Sequence, residues 1–155
     1  MTPFSTRLAT CFGIGWIPRA PGTFASAAAL PLGWILVTAG WPVLLIGAAV
    51  ATLAGIWACG IHARRVGLYD PSECVLDEVA GQWFALLPIA FYVRGSDWRL
   101  YGIAFLLFRL FDIFKPWPIS AAEKLPGGFG VMMDDVVAGL AAAVLLYGAL
   151  SIKWI

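Results

Sequence analysis

Acidic side chains are rare and unevenly spaced in this chain, and they are its best candidates for chemistry. The sequence has nine aspartates and glutamates in 155 residues, and none of them precedes Asp70. Eight fall in two stretches, residues 70–78 and 112–135, and only Asp97 lies elsewhere. Carboxylates bind hard divalent cations such as Mg²⁺ and also act as general bases. The function therefore depends on whether the fold brings the two stretches together.

Two basic residues accompany the second acidic stretch. Arg109 precedes Asp112 by three residues, so a helix places both side chains on one face. Lys115 follows three residues later. Carboxylates that converge beside these two cations would suit a metal ion and an anion together, with Mg²⁺ on oxygen ligands and a phosphate on Arg109 and Lys115. A metal ion in that place polarises a phosphoryl oxygen and activates a bound water.

The composition is that of an integral membrane protein. Hydrophobic residues make up 61% of the chain and charged residues 12%, with a mean hydropathy of +0.87. A soluble domain carries about twice that proportion of charge. The net charge of +1 and the lack of a basic stripe predict no nucleic-acid partner. Three cysteines without a CxxC pair, and a single histidine, predict neither a disulfide framework nor a zinc site.

The apolar segments predict an all-α fold, an integral membrane helical bundle that forms one domain over residues 1–155. About five membrane segments are expected, with a range of four to six, and two of them are short. Thr23 is a candidate N-cap, and so is Asp70, because Pro71 fits the first helical position and Glu73 completes a capping box. The predicted elements are an interfacial segment at 8–17, helices at 24–39, 43–61, 71–93, 100–114 and 131–152, turns at 40–42 and 94–99, and a short helix within 119–125.

The distribution of arginine predicts the side of the membrane on which the acidic stretches lie. The turn at 40–42 carries no charge, whereas Arg19, Arg64 and Arg65 flank the two helices that it joins. Basic residues favour the cytoplasmic side, so the turn lies outside. Counting helices from there places both acidic stretches at the cytoplasmic end of the bundle. Arg94 and Arg99 fall on the opposite side and count against this topology, but more basic residues support it.

Glycines precede two of the predicted helix starts. They lie beside Thr23 in the first case and at 127–130, ahead of Asp134 and Asp135, in the second. Free N–H groups at a helix start bind anions, so both places could contact a phosphate. A tight turn explains the glycines better than an anion site does, and a pair of acidic residues also suits a helix start without any ligand. The third and fourth helices are short for a hydrocarbon core of about 30 Å, so their polar ends could form a half-buried pocket.

Four strings of the sequence, APGTFAS, DPSECVLDEVAGQW, FRLFDIFKPWPI and GGFGVMMDDVVAG, occur in order between residues 17 and 139. They resemble the motifs of bacterial phosphatidylglycerophosphatase A, with Ala25 where that family often has glycine. The resemblance implies a Mg²⁺-dependent enzyme of the bacterial cytoplasmic (inner) membrane whose active site faces the cytoplasm. Its phospholipid substrate would be phosphatidylglycerophosphate, hydrolysed to phosphatidylglycerol and inorganic phosphate.

The resemblance also implies roles for residues of this chain. The catalytic set would be Asp77, Glu78, Arg109, Lys115, Asp134 and Asp135. The metal ligands would come from Glu73, Asp77, Asp112, Asp134 and Asp135. The substrate phosphate would contact Arg109, Lys115 and Thr23. Which carboxylate has which role stays open, as does the oligomeric state, and attack by water is favoured over a covalent phospho-enzyme.

Some of these polar residues have simpler explanations. Asp70 fits a helix cap better than a ligand. Gln82 could form a hydrogen bond between helices or support the site. Glu123 and Lys124 are expected to form a solvated pair, and His62 has no clear partner.

Two other functions use the same residues differently. The carboxylates could bind the permeating ion of a cation transporter or channel, or the chain could be a membrane partner protein without catalysis. A pathway for ions needs polar residues across the bilayer. Residues 24–61 and 136–152 carry no charge, which favours the enzyme.

Overall fold

The computed structural model describes residues 2–92 and 97–152, and every regular element in those ranges is helical. Three helices, α2, α3 and α8, are long and apolar enough to cross a membrane. The protein is therefore an all-α membrane bundle, as the sequence predicts. The helices are α1 (Phe4–Ala9), a 3₁₀ helix (Cys11–Trp16), α2 (Pro21–Ala39), α3 (Trp41–Val66), α4 (Leu76–Ala85), α5 (Leu87–Tyr92), α6 (Trp98–Phe114), α7 (Ile119–Ala122) and α8 (Gly128–Ser151).

The two membrane segments that the sequence predicts to be short correspond to α4 with α5 and to α6. A break at Leu86 separates α4 from α5, next to Pro88, which cannot donate a backbone hydrogen bond. Helix α6 has 17 residues, about 25 Å at 1.5 Å per residue. Asp97 caps it by accepting a hydrogen bond from the Arg99 N–H at 3.0 Å. The predicted helix end at Val93 and residues 94–96 of the predicted turn at 94–99 lie outside the described residues. Helix α6 begins at Trp98, two residues before the predicted start.

Helices α2 and α3 form the predicted hairpin, and Gly40 alone connects them. The prediction that Thr23 caps α2 is wrong, because α2 already begins at Pro21. Proline is favoured in the first turn of a helix, and Ala20 turns the chain into α2 with a φ of 50°. Helix α3 also continues beyond the predicted residue 61 to Val66.

The predicted start of the third membrane helix at Pro71 is wrong. Helix α4 begins at Leu76, and the preceding residues form a turn in which the Cys74 N–H donates to the Pro71 carbonyl. The Val75 N–H donates to the Ala9 carbonyl of α1 at 2.9 Å. This contact between distant parts of the sequence outweighs the local capping signals of the DPSE string. It leaves residues 67–75 as a loop over the end of the bundle.

Helix α8 begins at Gly128, three residues before the predicted start, so the glycines after Gly127 lie inside the helix. The reason is close packing, because a side chain at Gly128 would collide with the Ile56 carbonyl of α3. Further along α8, Gly139 packs in the same way against Gly81 of α4. The short helix predicted within 119–125 is present as α7.

Candidate functional site

A polar pocket of about 130 Å³ lies at the end of the bundle where α2, α4 and α8 begin and α6 ends. Helix packing brings the two acidic stretches of the sequence together there. Asp77 and Glu78 come from α4, Asp112 from α6, and Asp134 and Asp135 from α8. The pocket is lined by Gly22, Asp70, Pro71, Ser72, Cys74, Val75, Asp77, Glu78, Asp112, Lys115, Asp134 and Asp135.

Three carboxylates of the pocket lining lie close enough together to hold a metal ion. Glu78, Asp112 and Asp135 each offer one oxygen, and these atoms all lie within 4.8 Å of one another. Arg109 pairs with Glu78 and, at 2.8 Å, with Asp112. Asp135 is buried and forms no ion pair within the described ranges. Three carboxylates and one guanidinium leave a net charge of −2, which a divalent cation with oxygen ligands would balance.

Helix α2 supports Glu78 through residues that the sequence analysis did not single out. Ser26 is fully buried and its hydroxyl lies 2.9 Å from Glu78 Oε2, where it can donate. A side chain at Gly22 would collide with the Glu78 carboxylate, so this glycine makes room for it. A serine in an alanine-rich helix is a weak signal on its own. Its partner becomes visible only when the fold places it beside α4.

Lys115 lies at the rim of the pocket between two carboxylates. Its Nζ is 2.7 Å from Asp134 Oδ2 and 3.1 Å from Glu123 Oε1. Burial disfavours the charged ammonium, but Asp134 and Glu123 outweigh that effect and raise the pKa of Lys115 above its ordinary value. The prediction that Glu123 pairs with Lys124 is wrong, because α7 turns Glu123 toward Lys115. The Tyr69 hydroxyl holds the segment around α7 in place, because it lies within hydrogen-bond distance of the carbonyls of Glu123 and Leu125 and can donate to either of them.

Asp77 and Asp70 both line the pocket, Asp77 on α4 and Asp70 on the loop that precedes α4. Asp77 is buried and one oxygen accepts the Glu78 backbone N–H at 2.8 Å, but no cation pairs with it in the described structure. Asp70 lies on the loop at the rim. Partial burial, and then the charge of Asp134, raise the pKa of the Asp70 carboxyl. The prediction of Asp70 as a helix cap is wrong, because no helix follows it directly.

Glu73 is the one predicted metal ligand that does not line the pocket. The predicted ligands Asp77 and Asp134 line it but do not belong to the group of three carboxylates. Its Oε1 lies 3.2 Å from His62 Nε2, and His62 Nδ1 lies 3.1 Å from the Thr6 hydroxyl. His62 therefore has two partners, contrary to the prediction of none. This chain of hydrogen bonds joins α1, α3 and the loop. Glu73 is outside the pocket lining, and its geometry favours a role in fixing the loop.

Thr23 lies in the first turn of α2, next to Gly22 in the pocket lining. The first N–H groups of a helix have no partner within the helix, so this end can contact an anion. Within the described part of the chain, no side chain caps α2. Thr23 as a phosphate contact stays a prediction that the position of α2 allows.

The preference for attack by water rests on the absence of a phosphatase nucleophile signature, and that premise is wrong as it stands. The spacing from Cys59 to Arg65 is that of the Cys-x5-Arg signature of cysteine-dependent phosphatases. Both residues lie inside α3, where the backbone N–H groups are used by the helix itself. The Cys59 thiol is fully buried and is not part of the pocket lining. A nucleophilic thiol must reach the substrate, so Cys59 is not a candidate nucleophile.

Comparisons with known proteins agree with the motifs. A family model described as Phosphatidylglycerophosphatase A matches residues 7–150. A protein of Escherichia coli with that name is 34% identical over 90% of this chain and 80% of its own length. The Haemophilus influenzae protein of the same name is 39% identical over 90% of this chain and 85% of its own.

A Bacteroides thetaiotaomicron protein is also similar, with 41% identity over 96% of this chain and 92% of its own length. Its name is "Putative phosphatidylinositol-3-phosphatase". No solved structure shows significant similarity to the chain.

Proposed function

Because the chain belongs to the phosphatidylglycerophosphatase A family and is a phosphatase, we propose that it removes the terminal phosphate of phosphatidylglycerophosphate with Mg²⁺ as cofactor. The products are phosphatidylglycerol and inorganic phosphate. The observation that carries the metal dependence is the convergence of three carboxylate oxygens within 4.8 Å beside Arg109. Oxygen-only ligands with a net charge of −2 suit Mg²⁺ better than a soft metal.

Glu78, Asp112 and Asp135 would hold the cation. Bound there, Mg²⁺ supplies charge stabilisation for a phosphoryl oxygen and lowers the pKa of a coordinated water. Arg109 keeps the Glu78 and Asp112 carboxylates in place through its two ion pairs. The ligand set thus draws one residue from each of three helices, which fixes it by packing rather than by one flexible loop.

The remaining pocket residues divide the other tasks. Lys115 and the first turn of α2 at Thr23 supply positive groups for the phosphate, with Lys115 exchanging a carboxylate partner for a phosphate oxygen. Asp134 is engaged by Lys115. Asp77 is buried, lines the pocket and pairs with no cation among the described residues, so it is our candidate for the base that accepts a proton from the attacking water.

The position of basic residues supports a site at the cytoplasmic face of a bacterial inner membrane. Arg64 and Arg65 lie exposed in the last turn of α3, and the loop that follows them covers the pocket. Arg19 lies exposed just before α2, at the same end. Basic residues mark the cytoplasmic side of membrane proteins. The opposite end of the α2–α3 hairpin, at Gly40, carries no charge.

The direct test is phosphate release from phosphatidylglycerophosphate by the purified protein in detergent with Mg²⁺. We expect release that EDTA abolishes and that Mg²⁺ restores. Phosphatidylinositol 3-phosphate belongs in the same assay because of the name of the Bacteroides relative, and glycerol 3-phosphate tests whether a lipid is required. Preference for the inositol lipid would overturn the substrate that we propose and leave the phosphatase chemistry intact. No release from any phosphate ester would overturn both.

A further inference from the structure

Gln82 is a buried polar residue that the proposed mechanism leaves unexplained. It is completely buried in α4, and neither atom of its side-chain amide has a hydrogen-bond partner in the described ranges. An unpaired amide is expensive in any protein interior, and lipid offers it no partner either. Packing alone would be served better by an apolar side chain of similar size.

The position of Gln82 connects it with the ligand set. It follows Glu78 by four residues, so the two side chains lie on the same face of α4, one turn apart. Gly81, which precedes Gln82 in α4, packs against the Asp135 carbonyl of α8. Arg109, which pairs with Glu78, also has a buried Nε without a partner. Two unpaired buried groups thus belong to the immediate neighbours of one metal ligand.

We propose that Gln82 is a positioning residue for Glu78. A water held by the Gln82 amide would hydrogen-bond to the Glu78 carboxylate, which Ser26 and Arg109 already contact. Residues that orient a ligand in this way set the affinity for the metal. The inference rests on the proposed function, because it takes Glu78 as a ligand of the cation.

Tyr101 provides a matched control. Its hydroxyl is also buried and unpaired, and it lies on α6, which carries Asp112 and Arg109. Eleven residues separate it from Asp112, about 16 Å along the helix. If an unpaired polar group mattered only for stability, then Tyr101 and Gln82 would respond alike to its removal.

The experiment compares Gln82→Met and Tyr101→Phe with the unmodified protein, each purified in detergent. Mn²⁺ serves as the probe, with binding followed by electron paramagnetic resonance and folding followed by thermal unfolding. Both variants should keep a Tm close to that of the unmodified protein, because neither polar group forms a hydrogen bond with another described residue. Only Gln82→Met should weaken Mn²⁺ binding, by about 10-fold or more. Gln82→Leu repeats the test with a different apolar shape.

The outcomes separate the inference from the proposed function. Unchanged Mn²⁺ affinity in Gln82→Met, or equal weakening in Tyr101→Phe, overturns the role of Gln82 alone. Failure of both Gln82 variants to fold, with Tyr101→Phe folded, shows that the amide is structural and also overturns it. Absence of Mn²⁺ binding by the unmodified protein overturns the metal assignment of the proposed function, and the role of Gln82 with it.

Discussion

The two ends of the helical bundle use the same helices for opposite purposes. At one end, α4 and α8 contribute Asp77, Glu78, Asp134 and Asp135 to a polar pocket. Toward the other end, the same helices bury apolar side chains in a core that includes Leu86, Ile89, Ala138, Ala142 and Leu146. The change from pocket-lining to core-packing side chains occurs near Gly81 in α4 and Gly139 in α8, each four residues after a pocket aspartate. Close backbone packing at these glycines separates the reactive half from the packing half.

This division between the two ends explains how the bundle can contain so few charged residues. Inside a membrane bundle, a carboxylate is tolerated only where it faces protein, water or a ligand. Six carboxylates line the pocket at one end, and two cations lie beside them. Arg109 pairs with Glu78 and Asp112, and Lys115 pairs with Asp134. The packing half then needs no charge to hold its shape. The comparison therefore predicts that chemistry and stability respond to different changes.

Removal of the metal should have the largest effect and should fall on the reactive half alone. With EDTA we expect complete loss of phosphate release, because the carboxylate cluster loses the charge that activates water. Helical content by circular dichroism should stay, because the packing half depends on apolar contacts. Restored activity on addition of Mg²⁺ shows that the protein remained folded. Activity that survives chelation would contradict the metal assignment.

Neutralising one ligand should come next in size. Asp135→Asn keeps the shape of a buried side chain and removes a charge, so activity should fall by more than about 100-fold. Asp97→Asn is the control, since Asp97 is acidic, caps α6 and lies at the other end of that helix from Asp112. It should keep nearly full activity. Equal losses in the two variants would abolish the distinction between the two ends.

A methyl group at the boundary should affect both halves. In Gly139→Ala the new Cβ collides with the Gly81 carbonyl, so the free energy of unfolding should fall by about 1–3 kcal/mol. Gly102→Ala in α6 meets no atom within 4 Å and should be neutral or stabilising by about 0.5–1 kcal/mol. Denaturation in detergent measures both. A tolerated Gly139→Ala would mean that the boundary can move.

The smallest effect should come from Glu73, the predicted ligand that lies outside the pocket. Glu73→Gln can still hydrogen-bond to His62, so we expect a loss of activity below about 10-fold and a change in stability near 1 kcal/mol. The assay is phosphate release at saturating Mg²⁺. A loss as large as that of Asp135→Asn would place Glu73 among the ligands and extend the reactive half into the loop.

The parts of the site that the sequence predicts are those set by the order of helices. An odd or even number of crossings decides which ends meet, so counting helices was enough to bring Glu78 and Asp135 to one pocket. The α2–α3 hairpin follows from two apolar runs with Gly40 between them. In both cases the signal is carried by neighbouring residues and by hydropathy, which a sequence states directly.

The parts that the sequence does not predict depend on contacts between distant residues. The DPSE string has every local mark of a helix start, yet Val75 pairs with Ala9 and delays α4 until Leu76. His62 meets Glu73 only because α3 continues past its predicted end. Ser26 is an ordinary small residue until α4 places Glu78 beside it. Local sequence propensity carries no information about such partners, because they lie far apart in the sequence.

The single-residue connection at Gly40 also bears on how the protein enters its membrane. Residues 20–61 contain no charge, so the apolar parts of α2 and α3 can insert into the bilayer as one hairpin. The later helices bring their acidic residues to a bilayer that already holds a protein surface. Ser26 and Gly22 of α2 are then already in place when Glu78 packs against them. Insertion in chain order would therefore give each acidic segment a protein surface to pack against.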